Sequence, residues 1–220
     1  MSIMKDFEII NGKLSWRKNA DWLYPDGNYP EWAKKNGKIL VKYKGKDTRV
    51  YIPDGIDEIG AEAFRKNKYI EVVDFPESVY DIGAHALYNC QNLKTVIFRG
   101  YLYVWSDFIT KKQQVQLVFL KNSLDDVDNK YQEKALLGFI YCVENDLMID
   151  DTVFEKNLIW IKRRRKKLYQ QAVTNHTLLQ ILLNHHLVPK QEIDELLELA
   201  TASGDAEATA MILNYAKICQ

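Results

Sequence analysis

Very little in this 220-residue sequence points to catalysis, export or a membrane. Three cysteines, Cys90, Cys142 and Cys219, are odd in number and widely spaced, so neither a disulfide framework nor a zinc-type spacing is present. No apolar run approaches the roughly 18 residues a membrane-spanning helix needs. The first residues, Met1-Ser2-Ile3-Met4-Lys5-Asp6, carry no apolar leader core, so the expectation is a cytoplasmic protein with reduced thiols. Thirty basic residues balance thirty acidic ones, which removes any global field favouring nucleic acid or an anionic membrane. His85, His176, His185 and His186 form no metal set, because the adjacent pair leaves a helix in different directions and neither has a carboxylate four residues on. Glycine-rich phosphate loops, nucleophile elbows and paired acid–base carboxylates are missing too. The expectation is therefore no enzyme, no cofactor and no bound metal.

What is present is a pattern written twice between Val50 and Phe98. Ile52-Pro53-Asp54-Gly55 returns as Phe75-Pro76-Glu77-Ser78, Ile59-Gly60 as Ile82-Gly83, Ala63-Phe64 as Ala86-Leu87, and Tyr69-Ile70 as Asn92-Leu93, each offset by 23 residues. A fixed period of this length with apolar positions in register reads as a solenoid, each repeat being one coil that hides its apolar edge against the next. Leu93, Val96 and Phe98 are expected to face inward. Pro53 and Pro76 follow the strand, where no ladder N–H is required. Gly60 and Gly83 are expected at turns with positive φ. Ala63-Phe64 and Ala86-Leu87 plug the coil interior, the small residue making room for the large one. Beyond Phe98 the period shortens, since Phe98 to Phe119 is 21 residues, and 100–120 reads as a degenerate last coil.

The arrangement I-P-x-G, I-G, A-F, C and L, carried by Ile52, Pro53, Gly55, Ile59, Gly60, Ala63, Phe64, Cys90 and Leu93, resembles the BspA-like, bacterial surface-antigen class of leucine-rich repeats over roughly 44–100. Asn67 stands where the second unit has Cys90, and Leu87 where the usual residue is Phe. The resemblance implies a bacterial protein acting by binding or adhesion, without catalytic residues, and it supplies no active site.

Around this centre the fold class expected is α+β. A β-hairpin cap with an aromatic insert occupies 1–49, leucine-rich coils 50–121, and an α-helical domain of about five helices 122–220. Asn11-Gly12 predicts a hairpin turn within 7–14, and Asn36-Gly37 a second turn before a strand at 38–43. The insert carries Trp22, Tyr24, Tyr29 and Trp32 among Pro and Gly turn residues. Three readings stand for it: a local cluster on the cap, a partner-binding anchor or a sugar-stacking platform.

If the coils align, outward residues form two rows, Tyr51-Asp74-Ile97-Val118 and Arg49-Val72-Thr95-Gln116. Solenoids bind partners on such faces, so Tyr51, Val72, Asp74, Thr95, Ile97 and Val118 join Trp22, Tyr24, Tyr29 and Trp32 as candidates for binding a protein partner. The rows grow more apolar toward the last coil. The expected cover there is the chain's own helical segment, with a partner as the alternative.

Capping signals at Asp150 or Asp151, Thr174 or Asn175, Pro189 and Asp205 divide the helical part. The last pair, around Ser203-Gly204-Asp205, is weakly similar to an ankyrin-type helix–turn–helix. Lys162, Arg163, Arg164, Arg165, Lys166 and Lys167 form the sharpest charge feature. The alternative reading makes Lys162, Arg163, Arg164, Lys166 and Lys167 a nucleic-acid contact. Six consecutive helical residues point all round the axis, however, and Arg165 falls on the apolar stripe, where Glu192, Asp194, Glu195 or Glu198 can pair with it.

Overall fold

A computed structural model describes residues 4–14, 36–102, 107–110 and 112–219. The chain divides into two units, the first comprising the chain up to Asn122 with Val127–Phe139, the second Ser123–Asp126 with Ile140 onward. The fold class is α+β: a β-solenoid of about three turns, followed by helices.

In the first unit the strands form two four-stranded sheets, and among the described residues the last coil contributes to the second sheet only. The first sheet runs β1-β2-β4-β6, with β1 Phe7–Lys13, β2 Asn36–Tyr43, β4 Glu58–Ile59 and β6 Asp81–Ile82. The second runs β3-β5-β7-β8, with β3 Arg49–Tyr51, β5 Val72–Phe75, β7 Thr95–Phe98 and β8 Gln116–Phe119, all parallel. Val50, Val73, Val96 and Leu117 stack in register, each fully buried. One step along lie Ile52 and the in-register rings of Phe75, Phe98 and Phe119, whose centroids are 5.4 and 4.7 Å apart. Burying each such side chain contributes about 2–3 kcal/mol, and none can be buried by its own coil. The 21-residue spacing of the last coil is real, because Phe98 pairs with Phe119.

Two turn readings need correction. Asn11-Gly12 is no hairpin turn: it lies within β1, facing Lys38 and Gly37 of β2 in an antiparallel ladder. Asn36-Gly37 likewise begins β2, and a Cβ on Gly37 would stand 2.5 Å from Asp57 Oδ2, the carboxylate that accepts the Lys38 N–H. The antiparallel cap exists, with its connection elsewhere. Gly60 and Gly83 do not have positive φ. They are close-approach residues, and a Cβ on Gly83 would lie 2.5 Å from Ala61 N in the preceding coil. The left-handed positions fall instead on Glu62 and Lys66, and 23 residues later on His85 and Asn89. At these corners Glu62 N–H donates to Ala84 O, Phe64 N–H to Ala86 O and Lys66 N–H to Tyr88 O, so successive coils are laced by backbone.

The end of the solenoid is closed within its own unit. Asp128 caps a 3₁₀ turn, Asn129–Tyr131, which leads into α1, Gln132–Glu144. Gly138 of α1 sits so near β8 that a Cβ would collide with Leu117 O, and Lys134 donates to Gln113 O. The Tyr131 ring meets Phe108 at 5.1 Å. An otherwise open strand edge is thereby covered.

The second unit holds α2 Asp151–Ala172, α3 His176–Asn184, α4 Ile193–Ser203 and α5 Ala206–Ile218, making five α-helices with α1 among the described residues. Asp150 caps α2, Asn175 caps α3 and Asp205 caps α5, each through a side-chain oxygen accepting an N–H of the first turn. Pro189 precedes a 3₁₀ turn, Lys190–Glu192, so α4 starts later than the proline suggests. Gly204, with φ +74°, ends α4. Neighbouring helices pair as α2 with α3 and α4, and α5 with α3 and α4.

Candidate recognition surface

The two rows of the strand face are in the register the 23-residue period predicts: Arg49, Val72, Thr95 and Gln116 align, as do Tyr51, Asp74, Ile97 and Val118. Alignment does not make them equally available. Tyr51 is 50% exposed, whereas Asp74, Ile97 and Val118 retain 3%, 3% and 0%. Thr95 is buried as well, with its hydroxyl donating to Gln116 Oε1 at 3.2 Å. These four residues therefore offer a partner no surface, which corrects their standing as contact candidates. Strand alternation decides which face a side chain takes, but burial on that face depends on what else packs over it, which no alternation encodes.

Asp74 shows the cost that such burial imposes. Its carboxylate receives Arg99 through Nε and Nη2, both at 2.7 Å, and the bidentate pair holds the guanidinium pKa above its ordinary value. Arg99 lies 25 residues on, in the next coil, and its own side chain remains 52% exposed. A buried carboxylate is thus satisfied by a cation that still faces water.

What the face leaves open is a cluster at its first coil. Arg49 is exposed and its guanidinium lies 5.2 Å from the Tyr51 ring centroid. Val72 is half-buried beside Arg49, and the exposed pair Lys94–Glu71, 2.8 Å apart, borders it. An aromatic ring and an arginine are what protein interfaces draw on most. Trp22, Tyr24, Tyr29 and Trp32 lie outside the described residues.

Inside the stack a polar ladder escaped the sequence reading. Asn67 Nδ2 donates to Gly45 O at 3.1 Å, Cys90 Sγ to Phe64 O at 3.1 Å, and Gln113 Nε2 to Leu87 O and Cys90 O at 3.2 and 3.1 Å. These three residues are spaced by 23 and 23, so Gln113 marks the third coil that lacks Gly and Pro signals. Each side chain reaches back to a carbonyl of an earlier coil, and Phe64 O, Leu87 O and Cys90 O also accept a backbone N–H from their own turn. Burial pushes the Cys90 thiol up to about 11 and the Cys142 thiol up to about 12, so both are poor nucleophiles. Cys219 is only half-buried. On the other sheet Glu58 and Asp81 are in-register neighbours, both buried, and desolvation together with the Glu58 charge raises Asp81 to about 6. Among the described residues no group of three or more His, Cys, Asp or Glu side chains suits a metal ion.

The basic run on α2 is largely spoken for. Arg165 makes a bidentate pair with Glu192 at 2.9 and 2.7 Å, and Tyr169 donates to the same carboxylate at 2.6 Å. Lys166 bonds Glu195 at 3.2 Å, Arg163 pairs with Asp125, and Arg164 lies over the Trp160 ring at 4.3 Å. Lys162 and Lys167 are exposed. A nucleic-acid phosphate would have to compete with carboxylates already in place.

Residues 42–159, over half the chain, match the family model described as a BspA type leucine rich repeat region (6 copies). The chain belongs to the BspA-type leucine-rich repeat family. Members of this family generally act as protein-interaction or adhesion scaffolds and are typically non-enzymatic. Solved structures similar to part of this BspA-type chain include a leucine rich cell surface protein from Faecalibacterium prausnitzii, with 23% identity, a TM-score of 0.32, and coverage of 37% of this chain and 26% of that one. The leucine rich repeat protein of T. pallidum gives 27% identity and a TM-score of 0.31, covering 43% of this chain and 37% of that one. A leucine-rich repeat protein from Bacteroides capillosus gives 19% and 0.26, covering 44% and 79%. This chain thus spans well under half the length of the first two. A search of curated proteins finds no match. No helix among the described residues is long and apolar enough to cross a membrane.

Proposed function

We propose that this BspA-type protein is a non-catalytic scaffold that recognises a protein partner across the first-coil end of its parallel sheet, at Arg49, Tyr51 and Val72. The observation that carries the reading is the half-exposed Tyr51, held under the Arg49 guanidinium at the one end of an otherwise buried row. A ring fixed in place loses little entropy on binding, and a guanidinium stacked on it still has donors free for carboxylates or carbonyls. The family's general role as a binding scaffold supports the same reading, as does the neighbouring Glu71–Lys94 pair, which suits a polar rim.

A photo-crosslinking amino acid at position 51 in the full chain tests this in lysate of the native host. One protein captured there, and not from exposed position 156 on α2, is the expected result. Purified, that partner should bind Tyr51→Ala about tenfold or more weakly. Equal capture from both positions, or unchanged affinity, would remove the proposed surface.

A further inference from the structure

The outer side of α5 is exposed among the described residues. Ala208, Ile212 and Tyr215 are buried and fix the inward face of this helix. Ala206, Ala210, Leu213 and Lys217, at i, i+4, i+7 and i+11, form the opposite stripe, and all four are exposed. Leu213 keeps 45% of its surface in water and Ile218, at the end of the helix, 75%. The stripe carries a distinctive order of size and charge. The small residues Ala206 and Ala210 occupy the N-terminal half and Leu213 and the cation Lys217 the C-terminal half, while Glu207, about 100° round the axis from Ala206, stands on the flank beside His176.

We propose that α5 pairs antiparallel with α5 of a second copy of this chain. Ten residues separate Glu207 from Lys217, about 15 Å of helix, and a two-fold axis at the level of Ile212 places each Glu207 opposite the other copy's Lys217. The same axis brings each Leu213 within about one residue's rise of the other copy's Ala210, a large side chain beside a small one. Antiparallel helix dipoles add to the attraction. A parallel arrangement instead sets leucine on leucine and parts each Glu207 from the other copy's Lys217 by about 15 Å of helix, so charge and shape favour the same orientation. Glu207 also faces His176 Nδ1 at 3.3 Å within its own chain, and its carboxylate remains 68% exposed, leaving an oxygen accessible to a lysine. A single helix crossing is a small interface, so the dimer should be weak, with a dissociation constant of about 10–100 µM.

Sedimentation equilibrium on the full chain, up to about 500 µM, tests the proposal. The expected result is a reversible monomer–dimer equilibrium that Leu213→Glu abolishes. Lys217→Glu should weaken it about tenfold, because two attractive pairs become two repulsive ones, and adding Glu207→Lys to that variant should restore it to within about threefold. Far-UV circular dichroism of each variant confirms that the helices persist. A monomer throughout the range would overturn the proposal and leave the face to a different protein. A dimer indifferent to Leu213→Glu would place association elsewhere on the molecule and overturn it equally. Loss with Leu213→Glu but no rescue by the double charge reversal would exclude the antiparallel register, and with it the proposal.

Discussion

At the scale of single residues, a buried acid and a half-buried one behave in opposite ways because of their surroundings. Asp81 is buried and faces Glu58 across the ladder, and that desolvation, with the Glu58 charge second, raises its pKa to about 6 from 3.8. The native state therefore holds that proton more tightly than the unfolded chain, so this group's contribution to stability is greatest at low pH and declines as pH rises from about 4 to about 6. Asp81→Asn keeps an oxygen for the Ile82 N–H. It should be more stable than wild type by about 2–3 kcal/mol at pH 7, with the difference gone by about pH 4, as thermal melts at both pH values would show. Glu192 is the reverse case, its pKa lowered first by the hydrogen bonds from Arg165 and then by that from Tyr169. Its contribution is present above the unfolded value and is lost as pH falls through the lowered folded one. Glu192→Ala leaves Arg165 and the Tyr169 hydroxyl without their shared acceptor, and should destabilise the chain by about 2 kcal/mol in urea melts at pH 7.

At the scale of elements, the coil-to-coil approach is set by backbone contact. Gly83→Ala should destabilise by about 3 kcal/mol or more, since the new Cβ meets Ala61 N and Gly60 C at 2.5 and 2.8 Å. Gly60→Ala, with its nearest atom at 3.1 Å, should be milder, and chemical denaturation of the two variants would rank them. If positive φ were the reason for these glycines, both would suffer alike. In the helical unit, His176 bonds the Asp205 cap of α5 at 2.9 Å, and its pKa is raised mainly by that bond. Protonated His176 stabilises the chain below about pH 6.5, and this is lost as pH climbs through the raised folded value. His176→Gln should therefore narrow its deficit relative to wild type between pH 6 and pH 8. The repeats were legible because apolar positions recur at a fixed offset, and the helix caps because Asp150, Asn175 and Asp205 each precede a periodic stripe. Asn11-Gly12 misled because an Asn-Gly step signals a turn only locally, whereas here two such steps oppose each other across the ladder. The pairing of Arg165 with Glu192 could be anticipated from a cation on an apolar stripe. Burial of Asp74 and Thr95 has no signal in the alternation, whereas Ile97 and Val118, the apolar end of the rows, already call for a cover.

At the scale of the whole molecule, the account rests on coils stacked with residues 23 apart in the same row, for that register creates both the buried ladder and the face at Tyr51. Parallel in-register neighbours have the close Cα spacing a disulfide requires, while a two-residue offset exceeds about 7 Å. The most direct measurement is oxidative cross-linking of paired cysteines in a Cys219→Ser background. Arg49→Cys with Val72→Cys should close almost completely, and Tyr51→Cys with Val72→Cys should stay reduced. Equal closure of the two pairs, or closure of the second alone, would contradict the register and the recognition surface built on it.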